Sequence, residues 1–224
     1  MIVNDRITGF IRSLEPDEPE YLSRIRKKAE EEGVPIVKKE TAALLRFLVS
    51  AARPERILEI GTAVGYSALL MSECLGGECG DEIAESAGPR ITTIEYNEKM
   101  IAEARGNISA AGREDMIEIL PGDAADVLKT LSPGYDFIFI DAAKGQYLVY
   151  LEEAMRLLSS GGIMAADNVL QEGTLAESRY ALPHRERTTY SRMREFLWNI
   201  KHDERLETAV LSVGDGVSVS FRKG

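Results

Sequence analysis

Short apolar runs alternate along this chain with stretches in which apolar residues recur every three or four positions. R-I-L-E-I-G (56–61), R-I-T-T-I-E-Y (90–96), M-I-E-I-L-P-G (116–122), Y-D-F-I-F-I-D (135–141) and G-G-I-M-A-A-D-N-V-L (161–170) have the pattern of strands buried on both faces. Between them, residues 65–75, 97–112, a segment running to Leu131, and Gln146 to Ser159 carry the helical period. In the last of these the apolar stripe is Leu148, Leu151, Ala154, Met155 and Leu158. Five β-α units in series predict right-handed crossovers and a parallel sheet with helices on both faces.

The two ends differ from this middle. Residues 3–32 have a helical pattern broken at Pro16 to Pro19 and stopped at Gly33, with basic residues at Arg24, Arg26, Lys27 and Lys28. Lys38 to Ala52 is a second helix, apolar at Ala42, Leu45, Leu48 and Val49. Helices ahead of a sheet can cover it or roof a ligand. Arg192 to His202 is helical, and L-E-T-A-V-L-S-V-G-D-G-V-S-V-S-F-R (206–222) reads as an antiparallel hairpin around V-G-D-G. The expectation is one α/β domain over 1–224, with N-terminal helices at 1–52 and a Rossmann-like core at 53–224. Its seven-stranded, mostly parallel sheet ends in an antiparallel hairpin. Residues 76–89 form the one long loop.

Bulk composition narrows the classes. At 44% hydrophobic and 29% charged, the chain has the make-up of a soluble globular protein. No apolar run approaches the ~20 residues that cross a bilayer, and the N-terminus lacks a basic region followed by an apolar core, so neither a membrane anchor nor a signal peptide is expected. Cys74 and Cys79 are the only cysteines, a poor zinc site and more consistent with reduced thiols in the cytoplasm. A net charge of −10 argues against diffuse binding to nucleic acid or anionic membrane. One segment runs against that charge: Arg179 to Lys201 holds six Lys/Arg and two Glu.

Candidate chemistry collects at the strand ends, where open α/β sheets bind ligands. Asp141 ends the fourth strand and Lys144 follows three residues later; the plain alternative is a helix-capping Asp and a solvated Lys. Gly61 and Gly65 in E-I-G-T-A-V-G-Y-S (59–67) let backbone approach a ligand next to a helix N-terminus, yet do not match G-x-G-x-x-G. Glu95 ends the second strand, where an acid can accept ribose hydroxyls, and Asp123 follows the third, where an adenine amino group can be read. Asp167 and Asn168 end the fifth. With Asp141 they make a hard oxygen set suited to Mg²⁺, Mn²⁺ or Ca²⁺, although D-N is also a common turn pair.

Taken together, E-I-G-T-A-V-G-Y-S, T-T-I-E-Y-N, P-G-D-A, D-F-I-F-I-D-A-A-K and A-A-D-N-V-L resemble, in order and spacing, the metal-dependent O-methyltransferases of the catechol and caffeoyl-CoA type. Their fold is that of the class I S-adenosylmethionine-dependent methyltransferases. The resemblance implies that Asp141, Asp167 and Asn168 bind Mg²⁺ and that Lys144 is the base, acting as a neutral amine. It also implies that Ile36, Val37, Glu59, Gly61, Ser67, Glu95, Asp123, Ala124 and Asp141 line the methyl donor. A homodimer is expected. The acid that orients the catechol in the animal enzymes has no counterpart after Asn168. The tail, D-N-V-L followed by H-R-E-R-T and V-G-D-G, is similar to bacterial TrmR-type members, which methylate 5-hydroxyuridine at the tRNA wobble position. That likeness implies an RNA contact through Arg185, Arg187, Arg192 and Arg194 with the anticodon loop. A small catechol-like phenol is the alternative acceptor, and a non-catalytic donor-binding protein a third reading.

Overall fold

The computed structural model describes residues 4–75 and 90–224. The expected 76–89 loop, with Cys79, lies outside the described residues. Strands β1 (Ile57–Ile60), β2 (Ile91–Glu95), β3 (Ile117–Pro121), β4 (Tyr135–Ile140), β5 (Leu158–Ala166), β6 (Leu206–Leu211) and β7 (Val217–Arg222) form one sheet in the order β3-β2-β1-β4-β5-β7-β6. The first five are parallel, and β7 runs antiparallel between β5 and β6.

Residues alternate in facing along each strand, so the sheet has two apolar surfaces. Leu58, Ile60, Ile138 and Ile140 face α6 (Ala124–Thr130), α7 (Tyr147–Leu157) and α8 (Arg187–His202). Ile57, Phe137 and Phe139 face α2 (Glu20–Glu32), α3 (Lys39–Ala52), α4 (Tyr66–Leu75) and α5 (Glu98–Ala110). Helix α1 (Asp5–Leu14) buries none of its residues.

Three boundaries differ from the sequence expectation. Strand β5 begins at Leu158, inside the expected helix, and ends at Ala166. Helix α8 begins at Arg187 and not at Arg192. The buried positions of α7 are Tyr147, Tyr150, Ala154, Met155 and Leu157, while Leu148 and Leu151 are half-buried. Helix α7 packs on the sheet and also against its neighbour α8, and Leu148 and Leu151 line a groove shared with Trp198 and His202 of α8.

Register places the site. Ile60 pairs with Ile94 and with Ile140, and Ile140 pairs with Ala166. The residues just beyond these pairs, Gly61, Glu95, Asp141 and Asp167, therefore stand along one edge. That edge includes the β1/β4 switch point, where the strand order reverses and ligands of such sheets bind.

The N-terminal helices are tied to this edge by a charge taken inside. Arg26 of α2 is 6% exposed and pairs with Glu18 (2.9 Å), donates to the Val37 carbonyl (3.0 Å) and to the Tyr66 hydroxyl, and lies over the Tyr66 ring. The basic stripe of α2 thus loses Arg26 to the interior. Because α2 and α8 pack on opposite faces, the stripe does not extend the arginine segment of α8. Breaking a buried pair strands the remaining charge. Arg26→Ala is expected to lower stability by about 3 kcal/mol, read from urea unfolding.

Candidate active site

Loops after β1, β2, β3 and β4, together with residues 35–37, enclose a cavity of about 570 Å³. Ile36, Val37, Gly61, Ser67, Glu95, Asp123, Ala124 and Asp141 line it, as do Lys144 and Asn168. Of the donor-site residues expected from sequence, only Glu59 lies behind the wall. Tyr66, Tyr96 and Tyr150 also line it, and sequence reasoning missed them because no motif marks them.

Gly61 has φ +103°, and a Cβ there would overlap the Asp141 carbonyl oxygen. Only glycine lets the β1 loop lie against the end of β4. Glu95 accepts the N–H groups of Ala63 (2.9 Å), Tyr96 (3.0 Å) and Asn97 (2.9 Å). Three of its roughly four acceptor positions are therefore taken by backbone that it shapes, including Ala63 at φ +44°. Asp123 caps α6 by accepting the Ala125 N–H (2.8 Å).

Glu59 is fully buried. Thr93 donates to its Oε2 (2.5 Å), while Oε1 has no hydrogen-bond partner. Burial pushes its carboxyl up to about 7; the Ser67 and Thr93 hydroxyls oppose the rise, and the charges of Asp141 and Glu95 add to it.

Asp141, Asp167 and Asn168 come together from the ends of β4 and β5. Asn168, at φ +59°, donates from Nδ2 to Asp141 Oδ1 (2.9 Å), and Asp167 Oδ1 accepts the Asn168 N–H (2.7 Å). Tyr147, buried beneath, donates to the Asp167 carbonyl (2.8 Å). Burial raises the Asp141 carboxyl, and burial with the charge of Asp141 pushes Asp167 up to about 7. Two like charges that resist ionisation when bare are what a divalent cation stabilises, and turning the Asn168 amide offers it a third oxygen. The donor set fits such an ion. Among the described residues no cluster of three or more His, Cys, Asp or Glu is placed to hold a metal; the set here is two carboxylates and one amide.

A second cavity, about 320 Å³, opens beside Lys144 and is lined also by Gln171, Glu172, Arg185 and Asp215. Lys144 is not an isolated amine: its Nζ lies 3.6 Å from Asp215 Oδ2. The four arginines differ in what they hold. Arg187 donates to the Leu182 carbonyl (3.1 Å), Arg192 to that of Gly145 (2.8 Å) and Arg194 to that of Leu175 (2.7 Å). Arg185 keeps an 86% exposed side chain, with Glu186 at 3.4 Å.

The order of the strands, with the reversed β7 beside β5, is that of the Rossmann-like methyltransferases. Residues 12–223 match the family model described as O-methyltransferase, and the chain belongs to that family. It is 35% identical over 182 residues to a catechol O-methyltransferase of Mycobacterium tuberculosis, covering 80% of this chain and 74% of the relative. The SAH-bound Podospora anserina methyltransferase PaMTH1 superposes with TM-score 0.83 at 27% identity, over 98% of this chain and 95% of the other. The O-methyltransferase from Bacillus cereus in complex with SAH gives TM-score 0.81 at 26% identity, over 97% of each.

The raised carboxyl of Glu59 gives a pH signature. Its neutral form is favoured in the folded protein, so its contribution to stability is complete below the ordinary carboxyl value of 4.5 and is lost as pH rises through about 7. Glu59→Gln is expected to flatten the fall in urea midpoint across that window relative to the unmodified protein.

Proposed function

We propose that this chain transfers a methyl group from S-adenosylmethionine to a phenol-like hydroxyl with a second oxygen beside it. The acceptor we favour is the 5-hydroxyl of 5-hydroxyuridine at the tRNA wobble position. The observation that carries the reading is one continuous edge, on which the larger cavity meets the Asp141–Asp167–Asn168 set and Lys144 opens onto the smaller one. The larger cavity suits the donor, with Glu95 toward a ribose and Asp123 toward an adenine; SAH- and SAM-bound relatives support this.

Asp141, Asp167 and Asn168 would hold Mg²⁺, whose chemistry there is to acidify and orient the acceptor hydroxyl. Lys144 Nζ receives the hydroxyl proton. The oxygen then forms the new bond to the methyl carbon in line with the breaking carbon–sulfur bond, whose electron pair stays on sulfur. The 5-hydroxyl and 4-carbonyl oxygens of 5-hydroxyuridine are adjacent, as in a catechol. An anticodon base needs no duplex opening. Arg185, exposed at the mouth of the smaller cavity, suits an RNA phosphate. A small catechol-like phenol is the second reading, favoured by the name of the mycobacterial relative.

Mass spectrometry of nucleosides tests the choice. With purified protein, donor and Mg²⁺, tRNA carrying 5-hydroxyuridine is expected to gain 5-methoxyuridine. Asp141→Ala should abolish this, and Lys144→Ala should slow it by about 10² or more while keeping donor binding. Arg185→Glu should slow methylation of tRNA and leave that of a dihydroxyphenol unchanged. Methylation of the phenol alone would overturn the RNA reading; undiminished turnover in both Asp141→Ala and Lys144→Ala would overturn the mechanism.

We also propose a homodimer. Ile7, Phe10, Ile11 and Leu14 of α1 are 41–65% exposed, and Phe47 of α3 is 68% exposed. A second copy of this chain suits that apolar face. Light scattering is expected to give twice the chain mass, and Phe10→Asp combined with Leu14→Asp to give the monomer.

A further inference from the structure

The V-G-D-G turn joins β6 to β7, and its glycines and aspartate are by themselves the ordinary residues of a hairpin. Its aspartate, Asp215, is nonetheless 6% exposed, and each carboxylate oxygen has a separate partner. Oδ1 accepts the N–H of Glu172, and Oδ2 faces Lys144 Nζ at 3.6 Å. The backbone of the turn is joined to the same neighbour: Leu170 donates to the Asp215 carbonyl (3.0 Å) and Val169 to that of Gly216 (3.0 Å). Gly216 has φ +86°, and a Cβ there would overlap the Leu170 side chain. The turn is thus fastened to residues 169–172, which directly follow Asp167 and Asn168.

This fastening matters because Gln171 and Glu172 both have positive φ, +49° and +54°, a conformation that non-glycine residues hold only when their surroundings enforce it. Asp215 supplies part of that enforcement. Lys144, on a flexible four-carbon stem, is half-exposed, and Asp215 is its only ion-pair partner among the described residues. We propose that Asp215 is a positioning residue: one oxygen fixes the 169–172 backbone, and the other holds Lys144 Nζ at the mouth of the acceptor cavity. The ammonium of this pair must first pass a proton to solvent, and Asp215 then faces the charge that Lys144 regains on taking the acceptor's proton, much as the buried aspartate of a catalytic triad steadies its histidine. The inference rests on the role proposed above for Lys144.

Asp215→Asn separates the two tasks, because the amide oxygen can still accept the Glu172 N–H while the charge facing Lys144 is gone. Expected are an unchanged thermal midpoint and donor affinity, a kcat lowered by about tenfold or more with acceptor KM within about twofold, and partial rescue by Asp215→Glu. In a Lys144→Met background, Asp215→Asn should add no further loss, since both changes remove one unit. A second arm needs no turnover. Lys144 should be acetylated faster by acetic anhydride in Asp215→Asn than in the unmodified protein, measured by peptide mass spectrometry against Lys201. Faster acetylation upholds the positioning even if the unmodified protein methylates neither tRNA nor a dihydroxyphenol, in which case only the functional reading falls. Equal acetylation rates, or losses that multiply in the double variant, would overturn the proposal.

Discussion

The arrangement depends on one close approach, that of the Gly61 backbone to the Asp141 carbonyl at the β1/β4 switch point. The parallel register already brings both residues to the same level. The missing side chain then lets the loop after β1 rest on the loop after β4. The larger cavity and the carboxylate pair therefore share a wall and cannot drift apart independently. A side chain at position 61 would have to move the end of β4, and with it Asp141 and the neighbouring Asn168 amide.

Around that wall, charge is managed by burial and not by exposure. Glu59, Asp141 and Asp167 are all pushed toward their neutral forms by loss of water. Glu95 instead has three backbone N–H groups around its oxygens. The contrast separates a carboxylate surrounded by backbone N–H groups from carboxylates shut away from water with few donors. Arg26 and Glu18 answer one another inside the protein, and through Val37 and Tyr66 their pairing steadies two parts of the lining of the larger cavity.

Much of this was legible beforehand. The five apolar runs gave the parallel strands because residues buried on both faces leave no polar alternation. The strand-end acids were legible because open α/β sheets bind ligands beyond the carboxyl ends of their strands and two strands end in matching polar groups, and Asp141, Asp167 and Asn168 do meet. The stripe on α7 was misread because a helix with two neighbours has two apolar faces, and the tyrosines at 147 and 150 reach the core with their rings. The arginine segment read as a uniform patch, yet Arg187, Arg192 and Arg194 fasten backbone carbonyls. Composition cannot reveal such partners. Asp215 was illegible for the same reason, since a glycine-flanked aspartate is the ordinary chemistry of a tight turn.

The reversed β7 has a consequence for how the protein is made. Strand β5, which leads into Asp167, has β4 on one side, and among the described residues its other edge is covered by β7, which follows α8 and β6 in the chain. During synthesis β1 to β5 can pair in order, while β5 keeps an open row of backbone donors and acceptors until β6 and β7 have been made. An open edge of this kind invites pairing with other nascent chains. The turn that brings β7 home also carries Asp215 to Lys144 and Glu172, so the sheet closes and these contacts form in a single event.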